Sequence, residues 1–184
     1  MDYYISDLHL GHMNAIRFDN RPFRDTAHME KAILNNWNSK IMPNDDVYIL
    51  GDIFYHYPYN KKAFIEKLCG RLHFIVGNHD KGLINEKPVL SLFESVDLIK
   101  RIDDNGRMVI LCHYPIADWD GKYHGSYHIY GHVHANLNEA HRFMLTQERA
   151  FNAGCMINGY VPCTLEELEA NKLKFIEEKH IQVN

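Results

Sequence analysis

Short apolar runs recur along the chain, and each ends where polar residues begin. Runs of this length, rich in β-branched and aromatic residues, are typical of buried strands. They predict strands over Tyr3–Ser6, Val47–Leu50, Leu72–Val76, Val96–Ile102, Met108–Cys112, Tyr127–Tyr130 and Ala150–Gly154. The Asn105-Gly106 pair lies between the fourth and fifth of these runs and predicts a tight hairpin turn.

Helical spacing lies between several of the runs. Apolar positions that fit the buried face of one helix, with Asp25 or Thr26 as its cap, are Met29, Ala32, Ile33 and Trp37. Further helices are predicted through Phe64 to Leu68, ending at Gly70, across Val89–Phe93, and after the Thr164–Glu167 capping box. The charged residues from Lys172 onward predict a solvated final segment.

The order of these elements predicts the fold class. Strands that alternate with helices indicate an α/β protein with parallel pairing. In such a sheet the carboxyl ends of the strands lie at one edge, where ligands bind. Polar residues that follow the strands are therefore expected to meet in space.

Side chains of the metal-ligand type follow five of the predicted strands. They are Asp7 and His9, Asp52, Asn78 with His79, His113, and His132 with His134. In an extended segment residues i and i+2 point the same way, so the pairs that flank Leu8 and Val133 would each face one pocket. Each cluster alone also fits turn or helix-cap chemistry. Their repetition after five strands indicates a site.

Carboxylate, imidazole and amide groups make a mixed oxygen and nitrogen ligand set, which suits Mn, Fe, Zn or Ni. Cysteine is absent from these clusters, which argues against a structural zinc site. The candidates are too many for one tetrahedral ion and about enough for two ions that share a carboxylate.

Length and composition narrow the class of protein. The chain has 184 residues, a net charge of −4 and 13 histidines. Its length predicts a single domain over residues 1–184. The negative charge argues against an extended nucleic-acid surface, but not against a small nucleotide. Four cysteines at no zinc-finger spacing, together with an amino terminus that lacks the basic and apolar regions of a signal peptide, predict a reduced, cytoplasmic protein without membrane contact.

The clusters together resemble the signature of the calcineurin-like metallophosphoesterases. The matching motifs are Asp7-x-His9, Gly51-Asp52, Gly77-Asn78-His79-Asp80, His113 and Gly131-His132-x-His134. The resemblance spans most of the chain and implies the fold of that family. This is a four-layer α-β-β-α sandwich with two mixed β-sheets.

The same resemblance implies roles for these residues. The first metal ion would be held by Asp7, His9, Asp52 and His134, and the second by Asp52, Asn78, His113 and His132. The two ions would hold a bridging hydroxide for in-line attack on a small phosphate mono- or diester. His79 would bind a phosphoryl oxygen or protonate the leaving group, and Asp80 would orient His79 or cap a helix. Manganese is the first choice for reconstitution.

Departures from the family pattern narrow the subclass. Its protein phosphatases carry an Asp-Arg pair after the bridging aspartate, whereas Ile53-Phe54-Tyr55-His56 stands here. The chain looks more like the small bacterial and phage phosphoesterases, which predicts a small phosphorylated substrate, with nucleotides among the candidates. The alternative is a metal-binding scaffold on the same fold. Monoester versus diester and the oligomeric state stay open.

Two residues outside the ligand set are predicted to contact substrate. His12 follows Gly11, which would let the backbone turn the imidazole inward. The planar fork of Arg21 would suit a phosphate group. The alternative for Arg21 is a surface position or an ion pair with Asp19 or Asp25, and His56 is a further candidate on the same rim.

Overall fold

Two four-stranded β-sheets form the centre of the protein in a computed structural model, which describes residues 1–182. The first sheet contains β1 (Asp2–Ile5), β2 (Asp46–Ile49), β3 (Arg71–Ile75) and β4 (Ser95–Asp97), in that order. The second contains β5 (Ile99–Asp104), β6 (Arg107–Cys112), β7 (Tyr127–Tyr130) and β8 (Ala150–Asn152). The helices are α1 (Met13–Phe18), α2 (Thr26–Lys40), α3 (Lys61–Ile65), α4 (Lys87–Leu90), α5 (Glu139–Thr146) and α6 (Leu165–Glu178).

The predicted α/β class is confirmed, and one detail of the sheets is wrong. All three pairings in the first sheet are parallel, so this sheet is not mixed. In the second sheet β5 and β6 are antiparallel, whereas β6, β7 and β8 pair in parallel. The difference follows from the connections. Helical crossovers join the strands of the first sheet, and a tight hairpin joins β5 to β6.

The two sheets pack face to face as a sandwich, with buried strand residues between them. Tyr4 and Tyr48 from the first sheet share a core with Val109 and Ile129 from the second. The other face of the first sheet packs against α2, where Met29, Ile33 and Trp37 are fully buried. The outer face of the second sheet packs against Trp119 and Met144. The strands other than the edge strands β4 and β5 thus have residues buried on both faces, as expected for strands linked by crossovers.

The predicted run over residues 96–102 is divided between the sheets. Within this run β4 ends at Asp97 and β5 begins at Ile99. Only Leu98 separates the two strands, so its neighbours pair with different sheets. The hairpin prediction is confirmed, since Asn105 and Gly106 both have positive φ values, 53° and 82°, as a type I′ turn requires.

Helix caps are predicted better than helix lengths. Asp25 caps α2 by accepting from the His28 amide, and Thr164 with Glu167 forms the predicted capping box of α6. The helix predicted to reach Gly70 is shorter, because α3 ends at Ile65. The end from Lys172 onward is solvated in part: most of its described residues are exposed, but α6 continues to Glu178, Phe175 is buried, and Lys172 donates to the carbonyls of Gln147 and Ala150.

Two helices, α1 and α5, lie in stretches where the sequence predicted no element. Within residues 1–182, none of the helices combines the length and the apolar character needed to cross a bilayer.

Candidate metal centre

The strand-end clusters meet at one edge of the sandwich. Asp7 and His9 follow β1, Asp52 follows β2, and Asn78 and His79 follow β3. His113 follows β6, and the pair around Val133 follows β7. Because β1 to β3 and β6 to β7 run in parallel, their carboxyl ends deliver these side chains to a common site.

The backbone that presents these residues is left-handed, not extended. The φ values are 57° at Asp7, 49° at His9, 56° at Asp52, 69° at His132 and 51° at His134. The expectation that paired ligands lie in extended segments is therefore wrong. Residues with side chains rarely adopt these angles, and such conformations concentrate at functional sites. The chain turns sharply at each cluster, and this turn aims the side chains at one another.

Two glycines of the motifs are required by close approach. A Cβ atom on Gly131 would lie 2.6 Å from the Asp7 carboxylate oxygen Oδ2 and 2.5 Å from Ser6 Oγ. A Cβ atom on Gly77 would collide with the Asp52 carboxylate. These positions therefore exclude any larger residue while the carboxylates keep their places.

One group of ligand atoms surrounds Asp7, His9 and His134. His134 Nε2 lies 3.1 Å from His9 Nε2 and 3.6 Å from Asp7 Oδ1. Asp7 is held in place by the Ser6 hydroxyl, which donates to Oδ2 over 2.6 Å, and by the amide of His132. Atoms that each lie about 2.1 Å from one ion are separated by about 3.0–3.5 Å. The spacing therefore suits three ligands of one ion.

A second group surrounds Asn78, whose side-chain oxygen Oδ1 lies 3.0 Å from His113 Nε2 and 2.8 Å from His132 Nδ1. Asp52 lies between the two groups. Its Oδ2 atom is 3.6 Å from His9 Nε2 and 3.6 Å from His113 Nε2. The ligand atoms of Asp7, Asp52 and His113 also lie within 4.8 Å of one another. A single carboxylate thus faces a histidine from each group.

The hydrogen bonds of His113 show why a cation fits here. Its Nδ1 atom lies 2.7 Å from the Leu50 carbonyl, which can only accept, so Nδ1 carries the proton. In a neutral ring Nε2 then has a lone pair, and it faces the Asn78 oxygen and the Asp52 carboxylate. Acceptors that converge in this way repel one another unless a cation lies among them. The described residues therefore include groups that could bind a metal ion.

Burial shifts the pKa values of two of these groups, and each shift favours the neutral form of the group. Burial, with the neighbouring His134, lowers the pKa of His9 to about 2, so its imidazole is neutral. Its Nδ1 atom is buried without a hydrogen-bond partner among the described residues. Burial raises the pKa of Asp52 although His113 opposes the shift. A bound cation would offset that cost of burying the carboxylate.

Asp80 neither orients His79 nor caps a helix through its side chain. It is 1% exposed, and its carboxylate accepts from the backbone amides of Asp52, Ile53 and Gly77 over 2.7, 3.2 and 2.8 Å. These amides belong to the loops after β2 and β3. Asp80 therefore joins two of the ligand-bearing loops.

Arg21 lies behind the ligands and cannot reach a substrate, because its side chain is 0% exposed. It donates to the carbonyls of Leu8 and Asp7 over 2.7 and 3.0 Å and pairs with Asp19 over 2.8 Å. Of the two interpretations of Arg21, the ion pair with Asp19 is the one found. The physical reason is that the loop before α2 turns back under β1, which buries the guanidinium among backbone acceptors.

Sequence reasoning missed the role of Asp19. Its carboxylate accepts from His134 Nδ1 over 2.9 Å, which directs the lone pair of Nε2 at the ligand group. Burial is the largest single effect and works against protonation of His134, but the bond to Asp19 and the charges of Asp7 and Asp19 together outweigh it and raise the pKa of His134. Carboxylates in this position orient metal-binding histidines. A carboxylate next to the buried Arg21 was the available signal, but nothing in the spacing linked it to His134.

The exposed side of the site is formed by rings. The His79 ring is exposed, and its centroid lies 5.5 Å from that of His9 and 5.2 Å from that of Tyr55. Tyr55 stacks on the predicted substrate residue His12 with centroids 3.8 Å apart. His12 Nδ1 is buried and has no hydrogen-bond partner among residues 1–182. Tyr55 was not singled out as a site residue from the sequence.

The fold and site define an α/β protein with a two-sheet sandwich and an Asp/His cluster capable of holding metal. No protein-family model matches the chain. It is 34% identical over 166 residues to the uncharacterized protein MJ1445 of Methanocaldococcus jannaschii, which covers 89% of this chain and 86% of that protein. The chain therefore belongs to the same family as MJ1445.

A solved structure has the same overall architecture. The protein of unknown function AQ665 from Aquifex aeolicus matches with a TM-score of 0.72 and 27% sequence identity. The match covers 92% of this chain and 98% of AQ665. The likeness therefore extends over nearly the whole of both chains.

Proposed function

We propose that this chain is a dinuclear metal-dependent phosphoesterase with the metallophosphoesterase fold. The observation that carries the proposal is the position of Asp52, whose Oδ2 atom lies 3.6 Å from His9 on one side and 3.6 Å from His113 on the other. A carboxylate shared by two histidine-containing groups is the arrangement that two neighbouring ions need. The two-sheet sandwich is consistent with the proposed fold.

The two ions would be held by the two groups described above. The first set is Asp7, His9, Asp52 and His134, and the second is Asp52, Asn78, His113 and His132. When bound, such ions lower the pKa of water and neutralise charge on phosphoryl oxygens. The oxygen and nitrogen donors suit Mn, Fe, Zn or Ni, and manganese is the ion we choose for reconstitution.

The chain itself would supply the proton for the leaving group. His79 is the exposed imidazole beside the ligand groups, and its backbone amide donates to Asp52 Oδ1 over 2.9 Å. This bond fixes the loop that carries the ring relative to the shared carboxylate. We assign to His79 the role of binding a phosphoryl oxygen and protonating the departing oxygen.

A hydrolysis screen tests this function. Manganese-loaded protein is incubated with p-nitrophenyl mono- and diesters, nucleotides and cyclic nucleotides, and a chelated sample serves as the control. We expect hydrolysis of at least one ester class that chelation abolishes and manganese restores. Hydrolysis that persists at the same rate in metal-free protein would contradict the proposal, as would a metal-loaded protein that hydrolyses no ester.

A further inference from the structure

A groove of about 400 Å³ opens beside His79. Its walls are the loop over residues 54–57 and the segment over residues 78–83. Both begin next to candidate ligands, because the first loop follows Asp52 and the second starts with Asn78. The volume lies within the range of about 300–1,000 Å³ that small-molecule sites occupy.

One wall of the groove is aromatic. His56 is exposed on a left-handed backbone with φ of 46°, and its ring stands perpendicular to Tyr55 with centroids 4.6 Å apart. Tyr55 already stacks on His12. The ring of His56 therefore offers the groove a planar surface that a ligand ring could pack against.

The lining of the groove contains an exposed lysine, Lys81, within a chain of net charge −4. Its lining includes two lysines, Lys61 and Lys81. Lys61 pairs with Glu86, whereas Lys81 is exposed and forms no ion pair with the residues that the structure describes. The acid in the lining is Asp80, whose carboxylate is turned inward to three backbone amides. Lys81 is thus left to face an anion.

We propose that this groove binds the leaving group of the substrate, and that this group contains a planar ring and carries a negative charge of its own, as nucleotides do. The inference rests on the proposed function. If His79 protonates the departing oxygen, the atoms bonded to that oxygen must lie on the His79 side of the reacting phosphate, which is where the groove opens.

A matched pair of substrates tests the charge. One is p-nitrophenyl phosphate and the other is a nitrophenyl phosphate that carries a carboxylate on its ring. We expect the carboxylated ester to have a KM about tenfold lower, the effect of one charge-assisted hydrogen bond of about 1.4 kcal/mol. Lys81→Ala should remove this preference, so that the two esters have equal KM values in this variant. Lys87→Ala, an exposed lysine outside the groove, is the matched control and should keep the preference.

A second pair of variants tests the ring. His56→Asn removes the ring and suits the left-handed backbone, while His56→Phe keeps a planar ring. We expect the KM of both esters to rise about threefold to tenfold in His56→Asn and to stay near wild type in His56→Phe. Equal KM values in all proteins for both esters would overturn the groove as a leaving-group site, while metal-dependent hydrolysis would leave the proposed function standing.

The groove can also be tested without catalysis. The free carboxylated nitrophenol is titrated into zinc-loaded protein, and backbone amide signals are followed by NMR. Signals of residues 55–57 and 81–82 should shift. The affinity obtained from these shifts should be about tenfold lower in Lys81→Ala. Shifts confined to other parts of the chain, or no binding, would overturn the inference even if the protein hydrolyses esters. If the protein binds the nitrophenol in the groove but hydrolyses no ester, the groove is confirmed as a binding site and the proposed function is contradicted.

Discussion

Two fully buried histidines of the protein differ in the contacts of one ring nitrogen. His113 lies at the candidate site, and His128 lies in the core behind the second sheet. Both are 0% exposed, and both donate from Nδ1 to a backbone carbonyl. His128 Nε2 accepts from the Ile116 amide over 3.0 Å, so its ring is fully satisfied. His113 Nε2 faces the oxygens of Asn78 and Asp52.

The comparison shows that burial does not mark a metal ligand, since both rings are equally buried. The difference lies in whether the second nitrogen meets a donor or another acceptor. A satisfied ring stabilises the fold by itself, whereas a neutral ring whose second nitrogen faces acceptors could bind a cation there. This distinction leads to four variants, ordered from the largest expected effect to the smallest.

Asp52→Asn should be the most damaging change, because it removes the charge that faces both ligand groups. We expect the bound manganese to fall from two ions per chain towards none, and hydrolysis to drop by more than the ~10²-fold that changes behind the ligands cost. Metal analysis and initial rates measure the two effects. Circular dichroism should show an intact fold, since asparagine still accepts from the His79 amide. Full metal content in Asp52→Asn would contradict the shared role.

His79→Ala should separate the proton donor from the ligands. Its metal content should stay near wild type while turnover falls by about 10²–10⁴-fold, the range for a general acid or base. The loss should be smaller for p-nitrophenyl esters, whose leaving group needs no proton. His124→Ala, an exposed histidine away from the site, is the matched control and should leave turnover unchanged. A variant that loses its metals would place His79 among the ligands instead.

Asp19→Asn should weaken one ligand group only. Asp19 fixes the proton of His134 on Nδ1, and its loss should lower manganese affinity by about 10–100-fold. Calorimetric titration with manganese measures the change. The exposed Asp118 provides a control of equal charge, and Asp118→Asn should bind as wild type does. Equal manganese affinities in the two variants would contradict a role of Asp19 in orienting His134.

His128 should affect stability and not metal binding. Burial lowers the pKa of His128 to about 4, so the unfolded chain binds this proton more readily than the folded one. Its contribution is complete above a pH of about 6.5 and is lost as the pH falls towards 4, at about 1.4 kcal/mol per unit. In chelator-treated protein, urea unfolding should show a shallower loss between pH 6.5 and 5 for His128→Gln than for wild type. Equal slopes would contradict this account.

The strands and the positions of the candidate ligands could be predicted from the sequence because they rest on local signals. Buried strands appear in the sequence as apolar runs, and parallel pairing brings their carboxyl ends together. The hairpin at Asn105-Gly106 and the cap at Asp25 depend on a few adjacent residues, and both are found.

What the sequence did not reveal depends on contacts between distant residues. Asp19 reaches His134 across 115 positions, and Asp80 reaches Asp52 across 28. The burial of Arg21 follows from the path of its loop under β1, which no local pattern encodes. The left-handed backbone at Asp7 and His9 was also missed, because such angles are rare for residues with side chains. The contrast between His113 and His128 is of the same kind.

The central claim is that acceptor atoms on both sides of Asp52 form a centre for two ions. The most direct test is to titrate metal-free protein with manganese and to follow the titration by electron paramagnetic resonance. We predict saturation at two ions per chain and the spectrum of a magnetically coupled pair. Saturation at one ion, or two ions with the spectrum of isolated manganese, would contradict a shared carboxylate at Asp52.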